Sequence, residues 1–405
     1  MRIFFSVGEP SGDLHASNLI HHLRQNRPDI ECVGFGGPKM AAAGCCLLYD
    51  LTQLAVMFLA GALKNLKKFI SLIGDADRYF AAHSVDAVVL IDFSGFNWWM
   101  ARKAKKHGIP VFYYGVPQVW AWGPWRIKKL RRFVDHILCK LPFEVEWFSR
   151  RGCQATYIGH PYFDQLFSQE YDEEFIEQHQ QTSGRSLVLL PGSRDLEVER
   201  HLEMMLDAST LLQQRHSDLS VMVACYNQKH LEQAEWLADQ KQCDVSCFVS
   251  RTPELMRVAD VCLACSGSVS LELLFHRKPT VIVYKAKWVV MFLQSIFLRC
   301  KYITLVNLIA CRDIRRRSIR VYQPENPGPE PAPMPEFLTR VDCPERLARA
   351  LDDWLQDPQR LQQKTQELNA IAERYVAAGA TGRAAEYLLA NIECRQTGSQ
   401  SNVAA

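Results

Sequence analysis

Short runs rich in Val, Ile and Leu alternate with longer helix-patterned stretches almost from end to end of this 405-residue chain. That rhythm constrains the fold more than any other feature. Strands joined by crossover helices assemble into parallel sheets with helices on both faces. The candidate strands fall in two series: 2–7, 32–35, 87–91, 111–114, 137–139 and 157–158, then 187–190, 221–224, 247–249, 261–264 and 281–284. Between the series, residues 164–184 are polar and rich in Glu and Gln, a helix leading to a domain boundary near Ser183. The expected fold class is α/β, with two Rossmann-like doubly wound domains, 1–183 and 184–360. The carboxyl ends of their strands are expected to face a cleft, where ligands of such sheets bind. Helical patterning resumes over 345–391, and residues 396–405, polar and small, read as a disordered tail.

Apolar residues make up 48% of the chain and charged residues 22%, ample for two cores. A net charge of +3 does not point to nucleic acid. Its distribution is more informative. Residues 101–134 carry nine Lys or Arg and no acid, a local field that attracts phosphate or, read more plainly, a solvated helix face. The fourteen cysteines lie largely in apolar runs and no charged leader precedes strand 2–7, so reduced thiols in the cytoplasm are expected. Cys262 and Cys265 form a lone CxxC within a strand, which argues against metal or redox chemistry there. The longest apolar stretches, 54–63 and 288–298, fall short of the ~20 residues that span a bilayer. Residues 324–335 are dense in proline and read as an extended loop after an arginine-rich stretch.

The chemistry-bearing strings sit at strand ends. Strand 2–7 runs into Gly8-Glu9-Pro10-Ser11-Gly12-Asp13 and then a helix. Its glycines permit close approach of a ligand to a helix N-terminus, while Ser11 or Asp13 as a simple cap is the alternative. Asp92 ends strand 87–91, where a carboxylate can act as general base or serve as a turn residue. Trp120, Trp122 and Trp125 lie within six residues, a loop that stacks on a sugar, holds an acyl chain or packs under the basic helix. Strand 187–190 ends in Pro191-Gly192-Ser193-Arg194, and an arginine fork at a helix start suits a diphosphate. A similar turn, Ser266-Gly267-Ser268, is followed by Glu272, placed to accept bonds from ribose hydroxyls or to serve the helix alone. Asp75-Ala-Asp77 lies in a helical stretch and reads as a solvated face, so no metal site is assigned. Residues 55–70 combine an apolar run with clustered lysines. Met57, Phe58, Leu59 and Leu63, with Lys64, Lys67 and Lys68, read as a membrane-contacting helix, against a core helix with a lysine edge.

Together these strings resemble one family. Gly8–Asp13, Gly36-Gly37-Pro38-Lys39-Met40, Leu54-Ala55-Val56-Met57, Ile91-Asp92, Val119-Trp120-Ala121-Trp122, Leu141-Pro142-Phe143-Glu144, Gly159-His160-Pro161, Leu190–Arg194 and Ser266-Gly267-Ser268 occur in the order seen in lipid-A-disaccharide synthases. The resemblance implies a GT-B fold, with C-terminal helices over 361–395 crossing back to the N-terminal domain. It implies transfer of 2,3-diacylglucosamine from UDP to 2,3-diacylglucosamine 1-phosphate, with inversion and with neither cofactor nor bound metal. By position, Asp92 matches the family's base and Arg194 its essential arginine. Gly192, Ser193, Arg194, Ser266, Gly267, Ser268 and Glu272 are expected on the donor. Gly8, Glu9, Ser11, Gly12, Asp13, Trp120 and Trp122 are expected on the acceptor. A cytoplasmic enzyme peripheral to the inner membrane is implied, with its oligomeric state open. Two departures stand out: Gly95 replaces the family's second acid, and the 312–335 segment is long. Rival readings are another GT-B activity, such as a UDP-N-acetylglucosamine 2-epimerase, and a catalytically silent lipid-binding protein.

Overall fold

A computed structural model describes residues 1–53, 66–180, 184–288, 291–292, 297–315, 322–325 and 332–401. They form two compact units, one of Met1–Asp164 with the chain from Ala378 onward, the other of Gln165–Ala377.

In the first unit seven strands form a parallel sheet: β1 (Arg2–Val7), β2 (Glu31–Gly36), β3 (Cys46–Asp50), β4 (Ala87–Ile91), β5 (Val111–Tyr114), β6 (His136–Cys139) and β7 (Ala155–Tyr157). Their order is β3-β2-β1-β4-β5-β6-β7. The chain winds outward from β1 to β3, then returns to the other side of β1 with β4. Helices cover both faces, so β4 and β5 are buried along their whole length and read as unbroken apolar runs. On one face the Pro10–Asn26 helix sets Ala16, Leu19, Ile20 and Leu23 against Ala384, Ala385, Leu388 and Ile392 of the Ala380–Ser401 helix.

The second unit repeats the plan with β8 (Arg185–Leu190), β9 (Leu219–Cys225), β10 (Ser246–Val249), β11 (Val261–Cys265), β12 (Thr280–Lys285) and β13 (Glu336–Thr339), ordered β10-β9-β8-β11-β12-β13. All pairings are parallel. The winding direction reverses at β8 and β11.

Three expectations change. The first unit ends at Asp164, not near Ser183, because the Glu173–Gln180 helix packs on the Thr252–Val258 helix of the second sheet. Asp172 N donates to Glu254 at 3.2 Å, Arg257 pairs with Glu173 at 2.6 Å and the Phe175 ring meets Phe248. The Pro358–Tyr375 helix also stays with the second unit, against the Val269–Phe275 and Pro344–Leu355 helices. Only the last helix returns. Asp164 caps its start, accepting from Gly379 N (2.7 Å), Ala380 N (3.1 Å) and Thr381 N (2.8 Å). Finally, residues expected in a disordered tail continue that helix to Ser401.

Candidate functional site

In open parallel sheets, ligands bind beyond the carboxyl ends of the two strands where the winding reverses. In the first unit those are β1 and β4, and the strings ending them are Gly8–Asp13 and Asp92–Asn97. The two turns touch. A Cβ added to Gly8 would stand 2.3 Å from the Phe93 ring, and one on Gly12 would stand 3.2 Å from Asp92 Oδ2. Bulkier residues at either position would push the turns apart.

Asp92 and Phe93 both adopt left-handed backbone conformations, at φ 47° and 34°. Such residues cost about 1–3 kcal/mol each and persist only where neighbours impose them. Asn97 does so here. Fully buried, it accepts from the Ser6 hydroxyl at 2.6 Å. Its amide donates to the carbonyls of Ser6 (3.2 Å), Ile91 (3.1 Å) and Asp92 (2.9 Å). The Tyr113 hydroxyl adds a bond to the Asp92 carbonyl at 2.8 Å. With its backbone so fixed, the Asp92 side chain remains 22% exposed, and Lys140 Nζ stands 3.8 Å from its Oδ1.

Lys140 follows β6 and was not singled out by sequence reasoning. Glu144 fixes its backbone, accepting from Lys140 N (3.1 Å) and Leu141 N (3.0 Å). Two histidines share the neighbourhood. His15 is pushed down to about 4, first by burial and then by the Lys140 charge. Burial, followed by Lys140 and His15, holds His160 well below its usual value. Both imidazoles are neutral near pH ~7.

Several acceptor-side candidates move. Glu9 and Ser11 are exposed at the helix start. Asp13, by contrast, is buried and both of its oxygens are engaged, receiving Gly37 N (3.0 Å), Lys39 N (3.0 Å) and Met40 N (3.1 Å). It ties the β2 turn to the first helix and leaves the candidate set. Trp120 is only 3% exposed, its indole donating to Glu144 at 2.9 Å, so it locks the segment that carries Lys140. Trp122 and Trp125 are the exposed members of that loop.

In the second unit the reversal strands β8 and β11 end in Pro191–Arg194 and Ser266–Ser268. Glu197 organises the first turn, accepting from Ser193 N (3.1 Å), Arg194 N (3.3 Å) and Arg194 Nη1 (2.8 Å). The Arg194 side chain is nevertheless 82% exposed. Gly267 and Ser268 are exposed, Ser266 is half-buried, and Glu272 is buried one helical turn further on. A planar cation beside strand-to-helix turns has the chemistry to receive phosphate oxygens.

Met57, Phe58, Leu59, Leu63 and Lys64 lie outside the described residues. Lys67 and Lys68 are exposed, and the Lys68 ammonium sits 4.4 Å from the centre of the Tyr49 ring. Asp75 is solvated, but Asp77 is not a free surface acid. It pairs with Lys103 (2.6 Å), Lys106 (3.2 Å) and His107 (2.7 Å), and the lysine and histidine bonds hold its carboxyl well below the usual range. Among the described residues, no group of three or more His, Cys, Asp or Glu is placed to hold a metal ion, and no helix is long and apolar enough to cross a membrane.

Solved structures share this architecture. The S. aureus MnaA–UDP co-structure superposes at TM-score 0.57 with 10% identity, covering 96% of this chain and 95% of its own. MurG of Acinetobacter baumannii gives 0.60 at 12% identity, covering 95% and 98%. At such identities the likeness establishes the GT-B fold and nothing finer. Sequence relatives go further. A lipid-A-disaccharide synthase of Myxococcus xanthus is 30% identical over 390 residues, 96% of this chain and 97% of that protein. One from Aromatoleum aromaticum is 33% identical over 396 residues, covering 96% and 95%. The family model described as lipid-A-disaccharide synthetase matches residues 3–325, spanning the turns that end β1, β4, β8 and β11. The chain therefore belongs to the lipid-A-disaccharide synthetase family, and is a glycosyltransferase.

Proposed function

We propose that this enzyme transfers 2,3-diacylglucosamine from UDP to the 6-hydroxyl of 2,3-diacylglucosamine 1-phosphate. UDP and the β(1→6) disaccharide 1-phosphate are released with inversion at the anomeric carbon. The observation that carries the reading is Asp92, held in a costly backbone conformation at the reversal point of its sheet with its carboxylate left accessible. Asp92 takes the proton of the acceptor hydroxyl as that oxygen attacks the anomeric carbon. The carbon–oxygen bond to the diphosphate breaks on the opposite face, and its electron pair leaves with UDP. Arg194 and the backbone N–H groups of Gly267 and Ser268 meet the charge that develops on the diphosphate. Glu272 receives the ribose hydroxyls, while Gly8, Glu9, Ser11 and Gly12 border the acceptor.

Acylated substrates reside in membranes, and the enzyme works at a membrane surface. Exposed Lys67 and Lys68 beside exposed Ile70 and Trp99 support that reading, since cations and apolar groups side by side suit an anionic interface. Mass spectrometry of products from the two acylated substrates tests the reaction. A disaccharide 1-phosphate with stoichiometric UDP is expected. A product formed from UDP-N-acetylglucosamine alone would instead favour an epimerase, the kind of enzyme named in several solved structures of the same fold.

A further inference from the structure

Next to Asp92 the first unit holds a cavity of about 560 Å³. Two helices shape it. Ser94–Lys106 contributes Gly95, Trp99 and Lys103, spaced four residues apart on one face. Leu66–Ala82 contributes Phe69, Ile70 and Ile73 from the opposite wall. The rings of Phe69, Phe93 and Phe96 lie 5.6–6.1 Å apart and line the same space. One end is bounded by Lys103, whose charge is taken up by Asp77 at 2.6 Å. The Gly95 end adjoins the Asp92 turn. From Gly95 to Lys103 the helix rises about 12 Å, at ~1.5 Å per residue. The result is a trough in which Lys103, the one charged lining residue among those described, is already paired, with Ile70 61% and Trp99 50% exposed.

We propose that this trough takes an acyl chain of the acceptor sugar, and that Gly95 governs how long a chain it accepts. The inference rests on the reaction proposed above. A sugar whose hydroxyl reaches Asp92 carries its acyl substituents past Phe93, the next residue, and so to the trough. The lining offers apolar surface and suits a methylene chain, not a head group. Gly95 is the element that keeps the near end open. A Cβ there would meet nothing within 4 Å, so the backbone tolerates a side chain, but anything larger enters the trough.

The test is equilibrium binding of 2,3-diacylglucosamine 1-phosphates whose acyl chains run from about six to about fourteen carbons. Wild-type affinity should rise with length, by up to about fourfold per buried methylene, until the trough is full. Gly95→Leu should lose affinity in proportion to chain length, at least about tenfold for the longest, the worth of about two buried methylenes. Ile70→Ser, at a solvent-facing position, should flatten the same dependence without burdening the fold. A wild type indifferent to chain length overturns the proposal, as do variants that keep the wild-type dependence. Adding the UDP-linked donor to the same samples reads the reaction separately. A wild type with the expected length dependence that forms no disaccharide contradicts the reaction and leaves the trough standing.

Discussion

The Lys140 ammonium stands 3.8 Å from the Asp92 carboxylate, although the strands that deliver them, β6 and β4, are separated by β5. Gly115, after β5, leaves the space through which the lysine passes: a Cβ there would lie 2.8 Å from Lys140 Cε. The same charge bears on His15 and His160. In Lys140→Met the His15 titration, followed by its ring-proton NMR shift, should move upward from about 4. It should stop short of the ordinary value of ~6.5, because burial is the larger cause. An unchanged midpoint would contradict the placement of Lys140 beside His15.

Stability should fall with acid over a definite window. His15 and His276 are both pushed down to about 4, in each case chiefly by burial. Between about pH 6.5 and 4 the unfolded chain binds protons there that the folded chain refuses, so folding weakens as pH drops. Below that window both states are protonated and the loss levels off. Urea midpoints measured across it should shift less in the His15→Gln, His276→Gln double variant than in the wild type.

Asn97→Leu should be costly in two ways. Four hydrogen bonds vanish from a fully buried position, and each polar group left unpaired costs about 1–3 kcal/mol. Urea unfolding should therefore show a loss of at least ~2 kcal/mol. Turnover should drop as well, because nothing else described bonds the Ser6, Ile91 and Asp92 carbonyls together, while UDP binding should be little changed. A variant of wild-type stability would remove Asn97 as the clamp.

Most of this framework was legible in the residues, because β4 and β11 are buried throughout and spell unbroken apolar runs, while β1 and β8 are buried beyond their first residues and mostly apolar. β3 escaped although Cys46–Tyr49 is an apolar run: it is a short edge strand, largely half exposed, and follows a two-residue turn after a short helix. β13 escaped behind the proline-rich segment, and because its first residue is an acid. Glu336 is buried there only because Ile303 N (2.9 Å), Thr304 N (3.0 Å) and Asn307 Nδ2 (3.1 Å) satisfy it. The same distinction holds at the site. Asp92 and Arg194 could be read from position, since each directly follows or closely trails a strand. Lys140 could not, because its partner comes from across the sheet. Asp13 and Trp120 read as ligand contacts until their partners, the turn at Gly37–Met40 and Glu144, were in place.

Arg194→Ala should weaken UDP. Hydrogen bonds to charged groups contribute about 1.5–3 kcal/mol, which corresponds to a dissociation constant raised roughly ten- to a hundredfold. Calorimetric titration with UDP reads this directly. Because Glu197 also holds Ser193 N, the turn itself should survive and the variant should fold normally.

The most direct test of the account is turnover of Asp92→Asn under conditions where chemistry limits the rate. The amide matches the carboxylate in shape but cannot accept the acceptor's proton, and general-base assistance is worth about 10²–10⁴-fold. The account predicts at least roughly a hundredfold loss in turnover, with UDP bound as tightly as by the wild type. Near-normal turnover in a correctly folded Asp92→Asn variant would contradict it.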